Sequence, residues 1–265
     1  MTPRGFGSGT SPAATTAILC LVCACASAPA KPDATELDRA WNRVFEASIG
    51  GFSGSYEHDI DGSESDSASA SYGLLVLEAG DPRGFGGGLR ARHGKSDQEL
   101  FEDLGPPAEA ISAEGSLYLL YRWCPTERFR MPARIGPWVD GIKLSFDNSD
   151  EIEWITYGGQ IGVSPEYEIL DGRSLALTIF GDVSLSFGTT DIDADVGGNS
   201  ESFDGSSRAV ALEFGPRIHF GPCFASLSYR FRRFTADESD SVGGISVRGF
   251  DGTTQGAVLM LGGGF

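Results

Sequence analysis

A strict alternation of apolar and polar side chains recurs along this 265-residue chain and constrains its fold more than any other feature. In residues 174–188 one face carries leucine, isoleucine, valine and phenylalanine, whereas the other carries threonine, aspartate and serine. The same period shapes residues 111–123, 207–220 and 252–265. Because successive side chains of a strand point to opposite faces, a period of two predicts β-strands with one apolar face.

The alternating segments predict an all-β fold of about ten strands, with eight to twelve allowed by the uncertainty of their ends. Their predicted bounds are 44–57, 67–79, 85–95, 111–123, 137–147, 153–169, 174–188, 207–220, 223–235 and 252–265. Most connections alternate between short turns and long loops, as in a single antiparallel up-and-down transmembrane β-barrel. A soluble sandwich or barrel that binds a lipid is the alternative, and it would point Leu177, Ile179 and Leu185 inward.

The amino-terminal region predicts export from the cytoplasm. Residues 1–30 contain a short apolar stretch followed by an A-x-A site at 28–30, which is typical of a secretory signal peptide. Lipoprotein processing at Cys25 is the alternative. Residues 31–43 are predicted to form a periplasmic arm or short helix, and residues 44–265 the barrel.

The charge and the cysteine content of the chain limit which partners are expected and exclude several kinds of site. The formal net charge is −17, so nucleic acid is not expected as a partner. Outside the leader only Cys124 and Cys223 remain, which have no zinc-ligand spacing and form no disulfide framework. Acidic loops such as 58–67 and 191–195 are expected to be solvated, with weak divalent-cation association as their functional alternative. We expect no dedicated metal site and no cofactor.

The carboxyl terminus resembles the signature of bacterial outer-membrane β-barrels, which end on an aromatic residue within a strand, here Phe265. The resemblance is to the small OmpA/OmpX-like barrels of the Gram-negative envelope and reaches no specific member. It implies an outer-membrane location, contact with outer-membrane lipid and lipopolysaccharide, and recognition of the last strand by the barrel-assembly machinery. Tyr121, Trp123, Trp138 and Trp154 lie near predicted strand ends and are expected to form an interfacial girdle.

The predicted inward face carries charges of both signs. These residues are Glu46, Arg90, Arg92, Glu114, Arg122, Lys143, Asp182, Glu213, Arg217, His219, Arg230 and Arg232. Because buried charges need partners, they are expected to form a paired network that fills the lumen. A narrow, ion-selective pathway is the alternative, since about ten strands leave far less room than the roughly 16 to 18 strands of a porin.

Catalysis is not expected. The chain has three histidines, and His93 and His219 lack the serine two residues later that outer-membrane lipid hydrolases use. His58 with Asp59 and Asp61 weakly resembles the rim of ten-stranded outer-membrane proteases. The sequence therefore predicts a structural or surface-interaction barrel with a plugged, charged lumen, with a narrow channel or transporter for ions or small solutes as the alternative.

Overall fold

The computed structural model describes residues 43–60, 66–96, 108–146, 151–172, 175–196, 199–237 and 250–264. They form eleven strand segments: β1 Phe45–Ile60, β2 Asp66–Gly80, β3 Phe85–Ser96, β4 Ala108–Thr126, β5 Phe129–Phe146, β6 Glu151–Val163, β7 Glu166–Asp171, β8 Ala176–Val196, β9 Asn199–Phe220, β10 Cys223–Ala236 and β11 Phe250–Gly264. In the described ranges, no helix is long and apolar enough to cross a membrane. The predicted leader, nearly all of the predicted arm, and Phe265 lie outside the described residues.

The strands close into one antiparallel up-and-down barrel. β1 pairs with β2 on one side and with β11 on the other, which joins the ends of the sheet. β6 and β7 both lie between β5 and β8 and are interrupted at Ser164 and Pro165, so they occupy one strand position. The barrel therefore has ten strand positions, which confirms the predicted fold class.

Three strand ends differ most from the prediction: the start of β5, the end of β8 and the start of β9. β5 begins at Phe129 rather than at 137, because Pro132 still accepts a hydrogen bond from the Ser164 N–H at 2.8 Å and the strand continues through it. The predicted long loop 189–206 is wrong for most of its length. Cross-strand pairs from Thr189–Ser206 to Val196–Asn199 extend β8 and β9 into a tall hairpin.

Large apolar side chains cover the outside of the barrel. Leu119 is 70% exposed and Ile179 is 51% exposed, whereas the adjacent Thr178 is 0% exposed. The other outward residues include Leu117, Leu177, Val183, Leu185, Leu212 and Leu227. A soluble protein would bury this face, so the outward direction overturns the soluble alternative.

The interior differs between the two ends of the barrel. At the short-turn end, defined by the turns 81–84, 127–128 and 221–222, the inward side chains are mostly charged. From mid-barrel to the long-loop end they are mostly apolar. This apolar layer consists of Phe52, Tyr56, Ala68, Ala70, Tyr72, Leu74, Ala110, Trp138, Ile142, Leu144, Trp154, Ile192, Ala209, Phe234, Ala236, Val258 and Met260.

The apolar layer corrects one prediction about the aromatic residues. Tyr121 and Trp123 are exposed on the outer surface, as a girdle requires. Trp138 and Trp154 instead lie inside the barrel, 2% and 5% exposed. The prediction was wrong for these two tryptophans because β5 and β6 turn their bulkiest side chains toward the apolar layer.

Close strand approach explains part of the glycine content of 37 residues. A Cβ placed on Gly158 would lie 2.0 Å from the Phe187 carbonyl oxygen, and one on Gly188 would lie 2.4 Å from the Tyr157 carbonyl oxygen. Only glycine allows β6 and β8 to bend this sharply around a narrow interior. Gly221 has a φ of 59° and closes the turn between β9 and β10.

Candidate functional site

The candidate site is the charged interior, where arginines and carboxylates occur in nearly equal number. Nine arginines of the described residues lie inside the barrel or at its short-turn mouth: Arg43, Arg90, Arg92, Arg122, Arg130, Arg134, Arg217, Arg230 and Arg232. Eight carboxylates share this space: Glu46, Glu78, Glu114, Asp140, Glu166, Glu168, Asp182 and Glu213. Nine arginines and eight carboxylates leave an excess of one positive charge among the side chains that the structure describes, with His219 counted as neutral.

The structure places eleven of the twelve predicted lumen residues on the inner face, and Lys143 is the exception. The Lys143 side chain is 38% exposed, and its Nζ lies 2.8 Å from Glu151 on the outer face. The prediction was wrong there because β5 has apolar residues on both faces. Trp138 and Ile142 face the interior, so the alternate residues, including Lys143, face out.

Seven interior charges were missed by the sequence reasoning: Arg43, Glu78, Arg130, Arg134, Asp140, Glu166 and Glu168. Arg130 and Arg134 fell in a segment that was interpreted as a connection. These two arginines are four residues apart and alternate with the apolar Met131, Ala133 and Ile135. This period of two is the sequence signal that indicates a strand.

A quartet of two arginines and two carboxylates lies among the residues of the apolar layer, since Asp140 lies between Trp138 and Ile142 on the inner face of β5. Arg92 Nη2 lies 3.4 Å from Asp140 Oδ1 and 3.3 Å from Glu114 Oε2. Arg232 forms an ion pair with Asp140 and lies 3.7 Å from Glu114 through its Nε. Trp138 Nε1 also donates to Glu114 at 3.2 Å. The quartet is electrically neutral, and each of its members contacts both opposite charges, which offsets the cost of burying them.

Asp182 anchors a second group at mid-barrel. The Arg134 guanidinium donates two hydrogen bonds to its carboxylate, at 2.6 and 2.7 Å. Ser164 Oγ donates a third at 2.7 Å, and Arg90 Nη2 lies 3.3 Å away on the opposite side. Arg90 donates two longer hydrogen bonds to the same carboxylate, at 3.3 and 3.5 Å, so Asp182 joins two arginines, of which Arg134 is the closer.

A third group surrounds Glu166 at the short-turn end. Arg130 donates to Glu166 through Nε and Nη2, at 2.9 and 2.7 Å. The fully buried Thr178 hydroxyl donates to the other carboxylate oxygen at 2.7 Å, and His219 Nε2 lies 3.5 Å from it. Because Thr178 donates to Glu166 and is closed to solvent, this Thr–His–Glu contact holds β7, β8 and β9 together.

Arg217 is held differently from the other interior arginines. Its guanidinium carbon lies over two aromatic rings, 4.8 Å from the Phe180 centroid and 4.7 Å from the Phe224 centroid. The nearest carboxylate oxygens, of Glu166 and Glu46, lie 3.5 and 3.8 Å from its Nη1. Contact with both rings limits the movement of the guanidinium.

A cavity of about 90 Å³ remains among these groups. Ser226 lines it, and its charged lining, all from the short-turn half, consists of four arginines and five carboxylates: Arg90, Arg130, Arg217, Arg230, Glu46, Glu78, Glu166, Asp182 and Glu213. Val258 and Met260 of the apolar layer also line it. The cavity is therefore polar, with apolar residues toward the long-loop end.

No metal centre is formed by the residues that the structure describes, since no three histidine, cysteine or carboxylate side chains are grouped for one. Asp191 accepts a hydrogen bond from Tyr157, and Asp193 accepts one from Ser202, both on the outer face. Much of the acidic loops lies outside the described ranges. Weak cation association there stays a prediction.

The closed barrel, its apolar exterior and its polar interior define the fold of outer-membrane β-barrel proteins. Solved structures of that class agree. The outer membrane protease OmpT from Escherichia coli matches with a TM-score of 0.50 at 10% identity, over 88% of this chain and 100% of OmpT. An outer-membrane location agrees with this fold and with the exposed apolar band.

Other solved structures match with lower scores. AlkL, solved in lipid bilayers, has a TM-score of 0.40 at 14% identity, over 88% of this chain and 94% of AlkL. The translocator domain of the autotransporter NalP from Neisseria meningitidis has a TM-score of 0.40 at 11% identity, over 96% of each chain. No protein-family model matches the chain, and no curated protein matches it. The comparisons therefore define a fold and no particular family.

Proposed function

We propose that this protein is an outer-membrane barrel with a structural or surface-interaction role, and that its lumen is plugged by its own side chains. The supporting observation is the interior itself. Its charges are joined in ion pairs through the short-turn half, and aromatic and aliphatic side chains fill the long-loop half.

Energetics favour a closed interior over a hydrated one. Breaking a buried ion pair leaves an uncompensated charge, which costs about 3–5 kcal/mol. A hydrated ion would have to separate pairs such as Arg134–Asp182 and then pass the apolar layer. Tyr56, Trp154 and Phe234 of that layer are almost completely buried. The two barriers lie in series along the same axis.

The proposal is tested by electrical recording in planar bilayers that contain the purified protein. We expect no stable conductance of porin size. The matched variant is Asp140→Ala, which opens the neutral quartet among the residues of the apolar layer. Intermittent small conductance in that variant alone would support side-chain plugging. Sustained channels of porin size in the unmodified protein would refute it.

A narrow channel or transporter for small ions is the second candidate, favoured by the cavity and by the excess of arginine over carboxylate. If this candidate is right, the unmodified protein conducts in small steps and prefers anions. Anion preference follows from the interior charge and opposes the sign of the acidic outer surface. Measuring the reversal potential in a chloride gradient separates the two candidates.

Contacts and activity complete the proposal. The apolar band supports contact with outer-membrane lipid and lipopolysaccharide, and the final strand supports recognition by the assembly machinery. We propose no enzymatic role. The likeness to OmpT transfers no catalytic residue, because at 10% identity it concerns the fold alone.

A further inference from the structure

The four arginines that line the cavity, together with Arg134 beside it, fall into two groups when their distances to carboxylate oxygens are compared. Arg130 and Arg134 each donate two hydrogen bonds of 2.6 to 2.9 Å to a single carboxylate. Arg90, Arg217 and Arg230 come no closer than 3.3, 3.5 and 3.4 Å to any carboxylate oxygen of the described residues. The second group is loosely paired, and all three of its members line the 90 Å³ cavity.

The carboxylates around the cavity are mostly neutralised from elsewhere. Asp182 is held by Arg134 and Glu166 by Arg130, as described above. Glu78 receives a hydrogen bond from Arg122 Nη2 at 3.3 Å and another from the Tyr118 hydroxyl at 3.0 Å.

Two lining carboxylates, Glu46 and Glu213, remain to balance the three loosely paired arginines. Four arginines and five carboxylates line the cavity. With Arg122 and Arg134, which hold Glu78 and Asp182 from outside the lining, six arginines face five carboxylates, an excess of one positive charge.

Donors without acceptors line the same space. The Nε atoms of Arg90, Arg217 and Arg230 are buried and have no hydrogen-bond partner among the described residues. The Oγ of Ser226, a residue only 3% exposed, is also buried and has no hydrogen-bond partner among the described residues. Buried donors in native proteins nearly always have an acceptor, so four without one around a single cavity indicate that an acceptor binds there.

We propose that this cavity is a binding site for a small oxyanion of the phosphate type, reached from the short-turn, periplasmic end. One water molecule needs about 10–15 Å³ of such space, so 90 Å³ admits a larger group. Arg217 supplies the main contact, because Phe180 and Phe224 hold its planar guanidinium ready for a bidentate oxyanion. Arg230, Arg90 and Ser226 supply the remaining donors.

Access from the short-turn end follows from exposure. The side chains of Glu46 and Arg217 are 17% and 16% exposed, whereas the apolar layer closes the opposite side. Binding requires no path through the barrel, so this inference stands whether the lumen conducts or is plugged. It adds a periplasmic ligand to a protein that otherwise meets lipid and the cell exterior.

Isothermal titration of the full-length mature protein in detergent, with sodium phosphate as the probe, tests the site. The reference is sodium chloride at the same ionic strength. We expect one phosphate per barrel and no comparable binding heat from chloride. Arg217→Gln should weaken phosphate binding by about tenfold or more, the loss expected for one charge-assisted hydrogen bond. Absence of phosphate binding, as when water alone fills the cavity, would overturn the proposal.

Two further variants separate the site from general charge and from misfolding. Arg233→Gln removes an outer-surface arginine that is paired with Asp251, and we expect it to leave phosphate affinity unchanged. Ser226→Ala removes one small donor with little risk to folding and should still weaken binding measurably. Equal weakening by Arg233→Gln, or unchanged affinity in a folded Ser226→Ala and a folded Arg217→Gln, contradicts the assignment.

Discussion

Replacing Asp182 with asparagine tests how far the interior network stabilises the barrel. Asp182 accepts two hydrogen bonds from Arg134 and one from Ser164, and Arg90 lies 3.3 Å away. The side chains of Arg134 and Asp182 are only 4% and 6% exposed, so solvent screens their interaction weakly. Asparagine keeps the shape but removes the charge, which leaves two buried arginines without compensation.

The expected cost of Asp182→Asn is about 3–5 kcal/mol in the free energy of unfolding, the range for breaking a buried pair by removing one partner. The matched control is Asp251→Asn, which breaks the Arg233–Asp251 pair on the outer surface, where the side chains are 59% and 33% exposed. There we expect a loss of about 0–1 kcal/mol. Reversible guanidinium unfolding in lipid vesicles, followed by tryptophan fluorescence, measures both.

A double variant sharpens the test. Removing the guanidinium together with the carboxylate, as in Arg134→Met with Asp182→Leu, should recover part of the stability lost in Asp182→Asn, because only Arg90 then remains without its partner. Equal costs for Asp182→Asn and Asp251→Asn would refute the reasoning. They would mean that the interior is hydrated and that its ion pairs are as weak as surface pairs.

Three further predictions concern the wall of the barrel and its assembly. Ile179→Arg, at an exposed position of the apolar band, should lower the free energy of unfolding in vesicles by about 2–4 kcal/mol. Arg at the exposed Ser202 of the long-loop extension should be tolerated. Equal tolerance at the two positions argues against a lipid-facing Ile179. Gly158→Ala should lower the free energy of unfolding by about 1–3 kcal/mol, because its Cβ would lie 2.0 Å from a backbone oxygen. Gly51→Ala should be neutral, because the nearest atom to a Cβ on Gly51 is 3.8 Å away. Unfolding curves that rank the two variants otherwise contradict the close approach of β6 and β8. Deleting Phe265 should leave the chain in the periplasm and sensitive to protease, and normal outer-membrane levels of the deleted form would count against the terminal-strand signal.

The sequence predicted the positions of the strands and the direction of most of their faces, because both depend on local periodicity. Residues 174–188 show this well, since their apolar positions on β8 face outward as the alternation predicts for a membrane barrel. Alternation defines two faces but does not say which one is inside. On β5 both faces contain bulky apolar residues, so the directions of Trp138 and Lys143 depended on what β5 contacts across the barrel.

The pairing within the interior was beyond the reach of local patterns. Arg134 and Asp182 are 48 residues apart in the sequence, and they meet only because of the register of β5, β6 and β8. The Arg217 stack likewise joins side chains of β8, β9 and β10. The alternation of the strands predicted that charges would lie inside, whereas the choice of partners required the closed barrel.

A spin-label scan along β8 tests most directly whether the apolar surface faces lipid and the interior is filled. The labels are introduced in a background with Cys124 and Cys223 changed to serine. Labels at 179, 183 and 185 should be accessible to oxygen dissolved in lipid. Labels at 180, 182 and 184 should be poorly accessible both to oxygen and to a water-soluble nickel complex, because those positions are buried inside. High nickel accessibility at the inner positions would contradict the filled interior, and loss of the two-residue period would contradict the barrel orientation itself.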